Sequence, residues 1–295
     1  MTLTLEERQA RREADREFAA AAVERLLTSE GWQAWLAVRR HFHAYSLHNQ
    51  LLIAMQRPDA TRVAGFKAWL KLGYCVRKGE KALRIWAPMA PTAKALREWE
   101  AAGAAAAERP RTRFKLAPVF DRAQVDPLPP PAQPIALDPP LVDTHGDQLA
   151  YLLDGPLQHL ADSIGVSFTL QDAQPGQSAN GYFVPSAREI VVYKGRAANA
   201  LVATAVHELA HAFRHIAHAD VQLDYAAEEL VVESVAYTVL GALGVDISGY
   251  AIPYLASWSA KADLAETIEQ TAGLIDRIAS SIEGPLLAGP AVAAA

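Results

Sequence analysis

Apolar residues in the stretch LVATAVHELAHAFRH, from Leu201 to His215, recur every three or four positions: Leu201, Val202, Ala205, Val206, Leu209, Ala210 and Phe213. That period is helical, and so broad an apolar band predicts a helix buried on most of its sides. A second helical run, YAAEELVVESVAY, starts at Tyr225, with Asp224 in the N-cap position. Upstream, strict alternation or short β-branched runs predict strands at Val166–Leu170, Gly181–Val184 and Glu189–Tyr193, preceded by a helix over Gln148–Ile164. A last helix is expected over Lys261–Ile282, ahead of an alanine-rich tail.

The front of the chain patterns differently. Residues 4–29 read as a charged amphipathic helix, and a second helix follows Gly31 through Trp32, Trp35, Leu36 and Val38. A third starts after Ser46, a possible N-cap, and stops at Arg57-Pro58. A short helix from Gly65 to Gly73 leads into an expected hairpin of Tyr74–Arg77, a turn at 78–81, and Ala82–Ala87. Alternation in its second strand sends Leu83, Ile85 and Ala87 to one face, Arg84 and Trp86 to the other. Phe114–Asp121 resumes as a further strand; the low-complexity segment 89–113 gives no clear element.

Residues 126–140, DPLPPPAQPIALDPP, form a proline-rich linker. The expected architecture is therefore α+β in two domains: helices with a small antiparallel sheet over 1–125, and a mixed domain over 141–295. Both are long enough to bury a core.

Charge sharpens that division. Residues 1–125 carry 22 Lys and Arg against 13 Asp and Glu; residues 126–295 carry 6 against 20. Only the front half is suited to an anionic partner, nucleic acid above all. Cys75 is the only cysteine, which excludes an internal disulfide and a cysteine metal cage and fits a reducing cytoplasm. Neither a secretory leader nor a membrane-spanning run is evident.

The chemistry lies in His207-Glu208-Leu209-Ala210-His211, an H-E-x-x-H pattern. Four residues apart on a helix, the imidazoles share a face. Two neutral histidines and a carboxylate suit a divalent zinc ion with an open position, and Glu208 is placed to take a proton from water. Paired core histidines are the plain alternative. The third ligand is expected from the next helix, where Glu229 and Glu233 share a face; one would bind the metal, the other hydrogen-bond a ligand histidine. His215, one turn beyond His211, reads as a helix-terminal or supporting group rather than a ligand. Tyr182, Tyr193, Tyr250 and Tyr254 are possible oxyanion partners.

In the basic half, arginine and tryptophan on one strand face suit single-stranded DNA, whose bases stack on aromatics while cations follow the phosphates. Arg57, Arg62, Lys67, Lys71, Arg77, Lys78 and Lys81 extend that surface. A solvated basic hairpin is the alternative.

Two resemblances add to this reading. H-E-L-A-H followed by E-E-L-V-x-E resembles gluzincin metallopeptidases, which implies Glu229 as the metal carboxylate, Glu233 as the alternative ligand or supporting group, and an edge strand at Glu189–Tyr193 lining the cleft. In the front half, Y-S-x-x-N-Q-L-L, R-P-D-A-T-R-V-A-G-F-x-x-W, V-R-K-G-E-K and I-x-A-P resemble the single-strand-binding domain of ArdC-type antirestriction proteins of conjugative plasmids. Tyr250, Tyr254 and Trp258 belong to a stretch similar to that family's C-terminal region. Tyr74 and Ala82 depart from the family pattern, which usually has a basic residue and a glycine there.

The resemblance implies single-stranded DNA as partner, with Tyr45, Asn49, Arg57, Arg62, Lys67, Trp69, Lys71, Arg77, Lys78, Lys81, Arg84 and Trp86 on the binding surface. It also implies a zincin-like peptidase domain holding one zinc ion through His207, His211 and Glu229, with Glu208 as its base. The alternative function is a zinc endopeptidase of a protein partner that the basic domain merely localises to DNA. Neither reading fixes the peptide substrate or the oligomeric state.

Overall fold

The computed structural model describes residues 5–42, 44–101, 110–129, 143–173, 179–246 and 264–288. Among these, α1 (Leu5–Glu24), α2 (Ser29–Arg39) and α3 (Leu47–Gln56) open the chain. There follow β1 (Val63–Ala64), α4 (Phe66–Lys71), β2 (Tyr74–Val76), β3 (Leu83–Met89), α5 (Ala93–Ala101), β4 (Arg113–Asp121) and β5 (Val125–Pro127). The rear half contributes α6 (Ala150–Leu153), α7 (Pro156–Ser163), β6 (Ser167–Gln171), β7 (Gly181–Val184), β8 (Glu189–Tyr193), α8 (Ala198–Ala217), α9 (Tyr225–Ala242) and α10 (Leu264–Leu287). The class is α+β, with an antiparallel sheet β1-β4-β3, a ribbon β2-β5 and a mixed sheet β6-β8-β7.

The expected 74–87 hairpin does not form. β2 pairs instead with β5, and β3 with β4 from Leu83↔Val119 to Met89↔Arg113. The intervening turn is claimed by Gln124, whose side-chain nitrogen donates to Glu80 and to the Lys81 carbonyl, while Arg77 N–H donates to the Gln124 carbonyl. Those bonds draw the turn toward the segment before β5 rather than closing it on itself.

Side chains complete the small front sheet. The outer edge of β3 faces α3, where Asn49 and Gln56 lie two turns apart. Asn49 accepts from Trp86 N–H and donates to the Trp86 carbonyl, and Gln56 does the same for Arg84, at 2.8–2.9 Å. Two amides therefore replace a missing strand, satisfying backbone groups that would otherwise compete for other partners. Asp121, fully buried, accepts from the N–H groups of Thr61, Arg62 and Ala123 at 2.8–3.1 Å and holds the Arg57–Arg62 turn against the end of β4.

In the rear half the helix expected over 148–164 is broken into α6 and α7. Gly155 takes φ +138°, which residues other than glycine rarely adopt, and Pro156 has no N–H to continue a helix. Asp224 caps α9 as anticipated, accepting from Ala227 N–H at 2.9 Å; Ser46 occupies the N-cap of α3 but its hydroxyl makes no capping bond. The final helix runs on to Leu287 through Pro285. The tail and the Tyr250–Trp258 stretch lie outside the described residues.

The larger of two hydrophobic clusters among the described residues runs from Trp32, Trp35 and Leu52 through Val206 and Leu209 to Val235, Ile275 and Ile278, and the smaller gathers Trp69, Tyr74 and Val125. Burying each such aliphatic side chain contributes about 1.5–3 kcal/mol. α10 returns to the front helices, where fully buried Arg39 of α2 donates to both Glu283 oxygens at 2.9 and 3.1 Å, to Ser280, and pairs with Asp276. A guanidinium stays charged at any ordinary pH, so this burial is tolerable only with partners so placed. Arg39→Ala, which leaves Glu283 buried without its cation, is expected to cost about 3–5 kcal/mol, read as a lower midpoint in urea denaturation.

Candidate functional site

α8 is buried along most of its length, and its half-buried positions His207, His211 and His215 fall one turn apart on one face. α9 packs against it and offers Glu228, Glu229 and Glu233, all half-buried. One donor atom from each of His207, His211 and Glu229 lies within 4.8 Å of the others. These are the three side chains that the resemblance implied as ligands. Two imidazoles and a carboxylate fit a small divalent cation, and among the described residues this is the only group of three or more such side chains so placed.

Outer carboxylates orient the imidazoles. His211 Nε2 lies 3.6 Å from Glu229 Oε1, while its Nδ1 is 3.1 Å from Glu228 Oε1. Glu228 Oε1 is also 2.9 Å from His215 Nε2. Glu233 stands 3.6 Å from His207 Nδ1, beside the ligand set rather than in it. With Nδ1 bound to a carboxylate, Nε2 of His211 is the nitrogen left for a metal. Glu233 thus stands beside a histidine of the group, where the sequence placed a supporting glutamate; Glu228, the closer partner of His211, was not anticipated. The available signal was His215, one turn beyond His211, which sets two imidazoles where one carboxylate can meet both.

Burial and neighbouring charge bias these groups. Burial, reinforced by the neighbouring His211, holds His207 down at about 4, so its ring is neutral at pH 7. Burial and the Glu229 carboxylate raise Glu208 to about 7, partly offset by a hydrogen bond from Phe183 N–H. That bond comes from β7, and the Phe183 ring packs 5.9 Å from the His215 ring.

β7 is the strand that borders the site. The edge was expected at Glu189–Tyr193, but β8 lies between β6 and β7. Ile190, Val191 and Val192 are all fully buried, a continuous apolar run that marks an interior strand with both faces covered. Gly181 lets β7 approach α8: a Cβ there would fall 2.7 Å from the Val191 carbonyl and 2.8 Å from Thr204 Cγ2. Between them lies a cavity of about 430 Å³ lined by His207, Glu208, Glu233, Gly181, Asn180, Thr204 and Arg196, among others.

Of the tyrosines singled out, Tyr182 and Tyr193 hydrogen-bond to each other, and Tyr250 and Tyr254 lie outside the described residues. Tyr225, one helical turn before Glu229 on α9, was not anticipated; its hydroxyl donates to Glu229 while its ring is 81% exposed.

The front-half residues divide into scaffold and surface. Trp69 is fully buried, donates to the Phe120 carbonyl at 2.8 Å and packs edge-on to Tyr74, so it cannot stack on a base. Asn49 is buried with both amide atoms bound to the Trp86 backbone, and Tyr45 is half-buried with its ring on Phe42. Arg57 pairs with Asp59 and Asp121, Arg77 with Glu80 and Asp126, and Arg84 with Asp15 while lying over the Phe18 ring. Arg62, Lys67, Lys71, Lys78 and Lys81 are exposed; the four lysines make no ion pair with a described residue. Trp86 is half-buried on the β3 face with Arg84, as alternation required. Its cross-strand partner is Leu116, and the next pair outward on that face is Pro88 with Phe114. Phe114 is 64% exposed between exposed Arg113 and Lys115, an aromatic with flanking cations that the sequence reading passed over.

Glu228→Gln should lower divalent-metal affinity by about 10- to 100-fold while leaving helix content unchanged, as read by titration calorimetry and circular dichroism.

The chain has recognisable relatives. A family model for the N-terminal domain of anti-restriction factor ArdC matches residues 21–120. An uncharacterized protein of Bacillus anthracis, pXO2-81, is 25% identical over 266 residues, which cover 81% of this chain and 45% of that protein. The chain thus spans less than half of that relative's length. Two crystal structures of the antirestriction ArdC protein from the R388 plasmid also align, each with a TM-score of 0.42 and over 81% of this chain. The metal-free one is 20% identical over 81% of its length, the Mn(II)-bound one 19% over 84%. Residues 21–120 are thus similar to the N-terminal domain of anti-restriction factor ArdC, about a third of the chain.

Proposed function

We propose that the chain is a single-stranded-DNA-binding antirestriction protein of a mobile element and that its rear half is a zincin-like, metal-dependent peptidase of the gluzincin kind. The domains divide the work: residues 1–125 grip DNA, 126–140 connect, and 141–295 carry the hydrolytic centre. The observation that carries the enzymatic half is the convergence of His207, His211 and Glu229 beside a cavity onto which Glu208 opens.

In this reading His207, His211 and Glu229 hold one divalent ion, with zinc favoured by the two-nitrogen, one-oxygen donor set. The bound ion supplies Lewis acidity toward a peptide carbonyl. Glu208, kept near neutrality and oriented by Phe183 N–H, accepts a proton from the attacking water and returns it to the leaving amine. Glu228 and Glu233 fix the imidazoles, and the Tyr225 hydroxyl steadies Glu229.

DNA binding is assigned to the open end of the β3–β4 ribbon. Trp86 and the Pro88–Phe114 pair present apolar faces two strand residues apart, about 6.8 Å. The unpaired lysines of residues 67–81 meet the phosphates. This takes Trp69, which is interior, off the binding surface and adds Phe114 to Trp86 as a stacking partner.

Two variants separate the halves. Glu208→Gln is expected to retain metal and DNA binding but lose peptide cleavage by at least about a hundredfold, measured on peptide pools by mass spectrometry. Phe114→Ala should weaken binding to labelled single-stranded oligonucleotides by about 1–3 kcal/mol without affecting metal binding. Native affinity should fall steeply with salt. Equal affinity for duplex and single strands would favour the alternative, in which the basic half only localises a peptidase.

A further inference from the structure

The cavity beside the metal ligands extends in one direction, and its far end is chemically unlike the rest. His207 and Glu208 line it, but His211 and Glu229 do not, so it lies toward the N-terminal end of α8. Its floor is Ala200, Ala203, Thr204 and His207, positions i, i+3, i+4 and i+7 on one helical face. The small side chains leave a trough, walled on the other side by Asn180 and Gly181 at the start of the edge strand β7.

Arg196 stands at the head of this trough, two residues before α8 begins. It is exposed and makes no ion pair or hydrogen bond with a described side chain, although Glu208 and Glu233 line the same cavity. The first turn of α8 cannot serve an anion in its place, because Ala198 N–H donates to Asp147 at 2.7 Å and Asn199 N–H to the Gly146 carbonyl at 3.0 Å. Among the lining residues, Arg196 is the only cation.

We propose that Arg196 is a specificity-determining residue, which selects peptides with an acidic side chain or terminal carboxylate on one side of the scissile bond. The proposal rests on the peptidase reading above and deepens it. From Ala200 to His207 α8 advances about 10 Å, the length of about three residues of extended chain. A carboxylate within three positions of the reacting carbonyl therefore reaches the guanidinium, whose planar fork accommodates it in two hydrogen bonds. The acidic groups closer to the metal repel the same carboxylate, which restricts it to the far end of the trough.

Binding tests this without requiring turnover. Three fluorescein-labelled ten-residue peptides of Ala, Gly and Ser, with a single central Glu, Gln or Lys, are titrated by anisotropy against the full zinc-loaded Glu208→Gln chain. The Glu peptide is expected to bind about tenfold more tightly than the Gln peptide, with Lys weakest. Adding Arg196→Glu should reverse the order, and adding Arg196→Ala should make the Glu and Gln peptides equal. Equal affinity for all three peptides, no binding of any, or a Glu preference that survives Arg196→Glu would overturn the proposal. If the preference appears but the zinc-loaded native chain cleaves none of the peptides, the anion subsite stands and the hydrolytic reading fails.

Discussion

A polar seam inside an apolar helix interface governs the rear half. α8 and α9 bury Val206, Leu209, Val231, Val235 and their neighbours, yet along one line they also remove three imidazoles and three carboxylates from most of the solvent. Such groups are tolerated only where each finds its complement. The pairing is sequential: His207 faces Glu233, His211 lies between Glu228 and Glu229, and His215 returns to Glu228. Sliding one helix past the other by a single turn would change the partner of every group and leave an end of the seam without its complement. The arrangement that can hold a metal ion therefore also sets the register of the two helices.

The sequence made this seam legible because its signals were periodic and local. Four-residue spacing put His207 and His211 together, and the N-cap at Asp224 fixed the phase of the next helix. What escaped was which of two adjacent glutamates would turn toward which histidine, since that depends on the crossing of the helices and not on either one alone. Strand order was hidden for the same reason. Glu189–Tyr193 and Gly181–Val184 both read as strands, but only the burial of three successive aliphatics puts the first inside the sheet. The false hairpin had a different cause. A well-formed turn signal at 78–81 was outweighed by Gln124, a partner more than forty residues away.

The front half shows how a family motif can encode a scaffold and a surface together. Asn49, Gln50, Arg57 and Trp69, all within the motif stretches, spend their polar atoms inside the fold: on the edge of β3, on Trp35 and Asp276, on Asp121, and on the Phe120 carbonyl. Read as a string they look like a nucleic-acid surface, because amides, arginines and tryptophan are also what DNA requires. Exposure separates the two roles. The lysines of 67–81 and Phe114 face outward, and Trp86 lies at the boundary.

The clamp on Arg39 has a consequence for how the chain behaves when cut. Its partners Asp276, Ser280 and Glu283 all belong to α10, the last described helix, while Arg39 belongs to the second. The two sequence halves are thereby fastened through a contact separate from the proline-rich segment that joins them. A protease that severed the chain within 126–140 would yield two fragments still bound through a buried ionic lock and a shared apolar core. They would migrate as one particle under native conditions and come apart only in denaturant.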